Sequence, residues 1–289
     1  KEAKMKKLIK ICAIVLGVIA VLVISGSVYF NATYPKVVPA PDVKVQPTAE
    51  RIERGKYLAN NVMLCLDCHS TRDFSKYSGP IKPGTEGMGG EIAGKEFGIP
   101  GKVPMKNITP AALGEWTDGE IIRAITSGIN KHGEALFPLM PYPNYHNISE
   151  EDLYSIVAYI RTLKPIKNEV GEKELDFPLN YIAKTLPLDS YKPHKAPDKS
   201  DLKAYGKYLV TIASCNDCHT KAEDGKPVAG LELDVKTREV QPGSFNTIML
   251  WTMYSGMTEE DLGAIYEYLQ SLKPVKNMVV KFTPAKTKM

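Results

Sequence analysis

The apolar positions of this chain fall into a few distinct patterns, and the longest unbroken one comes first. Residues 11–30 (ICAIVLGVIAVLVISGSVYF) carry no charge over 20 positions. As a helix rising about 1.5 Å per residue, they match the ~30 Å hydrocarbon core of a bilayer. Lys1, Lys4, Lys6, Lys7 and Lys10 precede the run, and Tyr29 and Tyr34 lie at its end. Basic residues are retained on the cytoplasmic side and tyrosines favour the interface, so the pattern predicts a single-pass anchor that meets lipid over residues 8–30. Its N-terminus is expected in the cytoplasm and the rest of the chain on the periplasmic face of the inner membrane. Ser25 and Ser27 form a weak small-x-small site, which keeps a cleaved signal peptide as the alternative. Cys12 opens the run and reads as a small apolar residue.

Beyond the anchor, residues 31–47 hold four prolines and little periodicity, predicting an extended linker that spaces the first domain from the membrane. Two longer words then occur twice. RGKYLANNVMLCLDCH (54–69) recurs as YGKYLVTIASCNDCH (205–219), one residue shorter, and SEEDLYSIVAYIRTLKPIKN (149–168) recurs as TEEDLGAIYEYLQSLKPVKN (258–277) without a gap. The chain is an internal duplication. Leu153, Ile156, Val157, Ile160 and Leu163 fall at helical offsets, as do Leu262, Ile265, Tyr266, Leu269 and Leu272, so each set predicts the apolar face of a helix. Ser149 and Thr258 stand where caps belong, and Pro165 and Pro274 where these helices must already have stopped. The first word predicts a helix from near Thr48 in one copy and near Ser200 in the other.

The expected organisation is all-α: anchor 1–30, linker 31–47, first domain 48–169, connector 170–199, and second domain with tail 200–289. The connector contains Pro178, Pro187, Pro193 and Pro197 and is expected to run over domain surfaces, with Phe177, Leu179, Tyr181 and Ile182 partly packed. The first copy is about 40 residues longer than the second between its cysteines and its last helix, on a turn-rich pattern typical of insertions. Within that insert, Thr117 and Glu120 form a capping box for a further short helix.

Charge changes this picture little. The net +4 resides in the first ten residues, and the remainder balances 32 basic against 32 acidic side chains. Nothing there suits phosphate neutralisation, so nucleic acid is not an expected partner.

The chemistry lies in CLDCH and CNDCH. Each matches CxxCH, the attachment pattern of c-type haem. Residues at i, i+3 and i+4 share one helical face, which sets two thiols toward two vinyl groups and the histidine beneath the iron. The pattern assigns two haem c groups, one to Cys65, Cys68 and His69 and one to Cys215, Cys218 and His219. A zinc site or a thioredoxin-like pair shares CxxC, but zinc needs further ligands and Cys12 is the one other cysteine; a redox pair has no need of the histidines. The opposite axial ligand in electron-carrying c cytochromes is often methionine. Met140 and Met249 each lie 12 residues before the equivalent aspartates Asp152 and Asp261, and are the predicted distal ligands. Met253 and Met257 have no counterpart and read as apolar packing. His132, His146 and His194 leave a bis-histidine site open but are likewise unmatched, which favours surface positions.

With Gly55 and Tyr57, or Gly206 and Tyr208, before each CxxCH, a methionine after it, and Tyr159 or Tyr268 on the last helix, the chain resembles the class I cytochrome c superfamily over most of residues 48–280. The resemblance implies that the first and last helices of each unit cross tightly at Gly55 and Gly206. It also implies that Pro80 and Pro227 supply carbonyls to the proximal histidines. The words NITPAALGEWTDGEIIRAITSG, LFPLMPY and MLWTMYSGMTEEDLGAIYEYLQSLKP are similar to cytochrome subunits of membrane-bound dehydrogenase complexes. The implied function is relay of single electrons without catalysis by the chain itself. A quinol-oxidising or dehydrogenase complex is the expected donor, and an oxidase, small cytochrome or cupredoxin the expected acceptor. The rivals are a fixed subunit of a dehydrogenase or oxidase complex and a dihaem peroxidase, which requires one iron with an exchangeable position.

Overall fold

The computed structural model describes residues 1–220, 222–223, 226–227, 233 and 249–274. Helix α1 (Glu2–Thr33) contains the apolar run and continues it through the lysine-rich end. Among the described residues it is the one helix long and apolar enough to cross a membrane, and its apolar stretch is exposed up to Gly26. Tyr34 turns the chain into extended backbone.

The expected linker begins later than 31, because α1 runs through Thr33; residues 34–47 form no helix or strand, but they are not a free spacer. Val45 is buried in the core with Val43 packed beside it, the Val45 N–H donates to Asp118 at 2.9 Å, and Arg123 donates to the Val38 carbonyl at 3.2 Å. Prolines lack an N–H, so this strip needs few partners and can lie flat on the domain.

Next come α2 (Ala49–Tyr57), a π-type turn (Leu58–Val62) and α3 (Cys65–Cys68), with Thr48 capping α2 by accepting from Arg51. The π turn explains the unequal repeat. The first copy has one more residue between glycine and cysteine, and one wider turn, with Met63 N–H bonded to the Leu58 carbonyl at 2.7 Å, absorbs it without moving the motif. The insert holds β1 (Ile92–Ala93), β2 (Gly101–Pro104), α4 (Pro110–Leu113) and α5 (Asp118–Ser127), the last with its predicted capping box complete. Helices α6 (Tyr142–Tyr145) and α7 (Glu150–Thr162) close the first half. The connector adds β3 (Glu174–Leu175) and α8 (Leu179–Ile182). The second half comprises α9 (Leu202–Ile212), α10 (Cys215–His219), the paired β4 (Ala222–Glu223) and β5 (Lys226–Pro227), α11 (Trp251–Tyr254) and α12 (Glu259–Ser271).

The protein is mostly helical, although the all-α expectation missed a small antiparallel sheet in which β2 lies between β1 and β3. Helix α2 packs on α7, and α9 on α12. A Cβ at Gly55 would overlap the Ser155 carbonyl, and one at Gly206 the Ala264 carbonyl, so both crossings need glycine. On α7, Leu153, Ile156, Val157 and Ile160 are buried against Leu58, Ile121 and Ile122, each worth about 1.5–3 kcal/mol relative to exposure. The corresponding face of α12 is less covered among the described residues: Leu262, Tyr266 and Leu269 remain exposed. The cover on α7 includes α4 and α5, which belong to the insert.

The halves join through equivalent residues used reciprocally. Tyr57 donates to Asp261 at 2.7 Å and accepts from the Thr258 N–H, while Tyr208 donates to Asp152 at 2.6 Å and accepts from the Ser149 N–H. Helix α11 lies against the π turn of the first half, and α6 against α9. An interface in which residue i meets j and j's equivalent meets i's is that of an approximate two-fold.

Candidate functional site

Both cysteine helices start in the same unusual way. Leu64 (φ 55°, ψ 37°) and Ser214 (φ 57°, ψ 28°) hold left-handed backbone just before Cys65 and Cys215. Neither is glycine, and such strain is retained where the surrounding structure imposes it. The turn brings the chain sharply out of the preceding helix and sets each motif on one short helical turn. Cys65 and Cys68 are pushed up to about 12, mainly by burial, and Cys215 to about 11.

The His69 ring has a defined orientation. Its Nδ1 lies 2.6 Å from the Lys106 carbonyl, so Nδ1–H donates there and Nε2 keeps its lone pair facing away. Burial lowers the histidine's proton affinity, with the Lys106 bond acting in the opposite sense. The carbonyl expected from Pro80 is occupied elsewhere: it accepts from the Asp73 N–H at 2.8 Å, within the turn bridged by Arg72 and Ile81. The insert is the reason for the change. Gly89 (φ 65°) donates its N–H to the His69 carbonyl at 2.8 Å and lies directly against Met105–Asn107, which brings the Lys106 carbonyl to the ring. In the second half Pro227 stands in β5 opposite Ala222, and its expected contact with His219 depends on a segment largely outside the described residues.

Met140 and Met249 occupy matching turns. The Met140 carbonyl accepts from the Tyr142 N–H at 2.7 Å and the Met249 carbonyl from the Trp251 N–H at 2.9 Å, across Pro141 (φ −77°, ψ 53°) and Leu250 (φ −86°, ψ 53°). Met140 packs at the edge of the core, and Met249 is partly buried, its carbonyl also accepting from Ser78 at 2.8 Å. Met253 and Met257 are buried apolar residues, as their lack of counterparts suggested. His132 and His194 are exposed, while His146 is partly buried with Nδ1 2.9 Å from the Thr126 carbonyl.

Two tyrosines that the sequence did not single out lie between the motifs. Tyr145 donates to the Met63 carbonyl at 2.8 Å and Tyr254 to the Ala213 carbonyl at 3.4 Å, and each accepting residue is two before the first cysteine of its own half. Burial pushes both phenols up; beyond it, Tyr145 feels Cys65, Cys68 and Tyr254, and Tyr254 feels Cys215, Cys218 and Cys68. Each tyrosine thus bonds the cysteine turn of its own half, while its helix packs against the other half, α6 on α9 and α11 on the π turn. Their equivalence, five residues after each methionine, was the available signal.

The donor set at each motif, two thiols three residues apart and an adjacent imidazole, fits haem c. Among the described residues no cluster of three or more His, Cys, Asp or Glu offers a metal site of another kind. The fully buried Tyr142 hydroxyl, two residues after Met140, has no protein partner among the described residues, leaving a polar atom for a bound group to satisfy.

Residues 52–164 match the family model described as Cytochrome c. The chain is 27% identical to the cytochrome c subunit of alcohol dehydrogenase (quinone) from Gluconacetobacter polyoxogenes, over 78% of this chain and 56% of that one. It is 29% identical to the fructose dehydrogenase cytochrome subunit of Gluconobacter japonicus, over 69% and 40%, and 26% identical to a diheme cytochrome c-type protein of Cereibacter sphaeroides, over 62% and 58%. The chain thus spans about half the length of these curated relatives. Thiols, imidazole and family match point to the same cofactor class, covalently bound haem c, and residues 52–164 are similar to a cytochrome c domain.

Proposed function

We propose that this chain is a membrane-anchored dihaem cytochrome c that relays single electrons. Two tandem cytochrome c units, 48–169 and 200–289, would each hold one haem c: the first by Cys65, Cys68 and His69 with Met140 opposite, the second by Cys215, Cys218 and His219 with Met249 opposite. The haem supplies the one-electron chemistry. The protein's own part is to tether, orient and surround. The thiols fix the group covalently, Lys106 sets the His69 tautomer, and a thioether opposite an imidazole favours a relatively high potential.

The observation that carries this reading is the reciprocal interface. Tyr57 with Asp261 and Tyr208 with Asp152 join the two halves, each of which carries a CxxCH helix backed by an equivalent tyrosine, Tyr145 or Tyr254. Two sites in one packed unit form a path, whereas two sites on a loose tether are separate carriers. Helix α1 serves as the bilayer anchor, with the lysines in the cytoplasm and the haem units on the periplasmic face. Relatives described as dehydrogenase cytochrome subunits favour a specific form of the function, a subunit that accepts electrons from a dehydrogenase and passes them to an oxidase, small cytochrome or cupredoxin.

Potentiometric titration of the purified chain tests the relay. Two reversible one-electron steps and a reduced form inert to carbon monoxide are expected. Carbon monoxide binding with a high-spin spectrum points instead to a haem enzyme of peroxidase type. Gentle isolation from membranes, with identification of the proteins that accompany the chain, decides between a complex subunit and a free carrier.

A further inference from the structure

The connector meets α1 where the apolar run ends. The hydroxyls of Tyr181 and Ser27 lie 3.1 Å apart, the Phe30 and Tyr181 rings are 5.4 Å apart, and Lys184 donates to Asn31 at 2.6 Å. Ser27 and Phe30 are the first α1 residues of the apolar run to be partly covered, roughly 24 and 29 Å of helix from its start. Helix α8 is therefore held at the level where a span over residues 11–30 leaves the hydrocarbon.

Large apolar side chains cluster at that level without cover. Phe177 is 81% exposed, Ile182 47% and Phe97 68%. Phe177 lies edge-on to Tyr181, with ring centroids 6.1 Å apart. Phe97 belongs to the β1–β2 connection, and the sheet brings that connection to the same end: Gly101 pairs with Leu175, and the Asp176 N–H donates to the Pro100 carbonyl at 3.1 Å. Leu179 and Leu175 pack inward on Ala93, Ile99 and Val103, so the sheet tip and α8 move as one block. Left in water, the three exposed side chains would forgo the gain that apolar surface makes on burial. An apolar cluster continuous with the apolar surface of a spanning helix is matched by the lipid around that helix, and Lys184 suits the headgroup layer.

We propose that Phe97, Phe177 and Ile182 rest in the headgroup–acyl boundary of the bilayer, forming a second membrane contact beside α1. The insert and connector then fix the height and tilt of the haem units over the membrane. This rests on the reading of α1 as a span.

The full chain, with Cys12→Ser, is reconstituted in vesicles of phosphatidylcholine and phosphatidylglycerol. It carries a nitroxide at one of four positions: Phe97→Cys, Ile182→Cys, Val18→Cys within the span, or Gln270→Cys on the exposed side of α12. Relaxation by oxygen, which concentrates in lipid, is compared with relaxation by a water-borne nickel chelate. The oxygen-to-nickel ratio at 97 and 182 is expected several-fold above that at 270 and below that at 18. A ratio at 97 and 182 equal to that at 270, with 18 deep in lipid, overturns the second contact and leaves the anchor standing. Labels at 97 and 182 shielded from both reagents mean that protein covers the patch, and overturn it equally. A label at 18 in water removes the span and this contact together.

Discussion

The hydroxyl of Tyr208 donates to Asp152 at 2.6 Å, and that bond joins the first helix of one half of the chain to the last helix of the other. Arg54 grips the same carboxylate at 2.7 and 3.0 Å, so one buried aspartate is shared by both halves. Asp261 receives Tyr57 at 2.7 Å, but Tyr205 stands where the first copy has Arg54, and one Asp261 carboxylate oxygen is buried without a partner among the described residues. The two-fold is thus close in geometry and unequal in charge.

Removing either phenol oxygen should loosen the union of the halves. Tyr208→Phe and Tyr57→Phe are each expected to cost about 1.5–3 kcal/mol in chemical denaturation, the range for a hydrogen bond to a charged group. Tyr57→Phe should lie at the upper end, because Asp261 has no arginine to fall back on.

Alkali should weaken the same interface. Burial, aided by the bond to Asp261, raises Tyr57 from 10.0 to about 12. Between those values the unfolded chain loses the phenolic proton and the folded chain keeps it, so the folded state binds more protons and stability falls as pH rises. The contribution is complete below pH 10 and lost by about pH 12. Thermal unfolding across that window should show the decline, and Tyr57→Phe should flatten it.

Gly206→Ala adds a methyl group directly onto the Ala264 carbonyl, where α9 crosses α12. Overpacking of this kind costs about 1–3 kcal/mol, and backbone on the receiving side places the expected loss near 3. Gly55→Ala should behave in the same way against Ser155. Unfolding midpoints in urea measure both.

Gly89→Ala should act on the first redox site alone. The added Cβ pushes on Met105–Asn107, the segment whose Lys106 carbonyl accepts from His69. Weakening that bond makes the imidazole a poorer electron donor to iron, so the midpoint potential of the first site should rise while the second stays in place.

The duplication made the helical frame legible. It marked the capped last helices, both cysteine turns and the equivalence of Met140 with Met249, because each depends on local words that recur in the same order, while the crossing glycines came from the family resemblance. Carbonyl partners were hidden, since every residue but its neighbours offers the same C=O: Pro80 was expected behind His69, and Lys106 lies there. Also hidden were the flat-lying linker, whose Val45 is buried in the core and bonds through its N–H to Asp118 far along the chain, and the strands of two to four residues in the insert, too short for a period-2 pattern to register. The reciprocal tyrosines were in view as parts of the repeat, but a repeat does not say which copy a side chain faces.

Mass measurement of the intact purified chain, alongside Cys65→Ala/Cys68→Ala and Cys215→Ala/Cys218→Ala variants, tests the central claim most directly. Two covalently added haem masses are expected on the parent chain and one on each double variant. A parent chain carrying a single haem, or a variant that retains both, contradicts it.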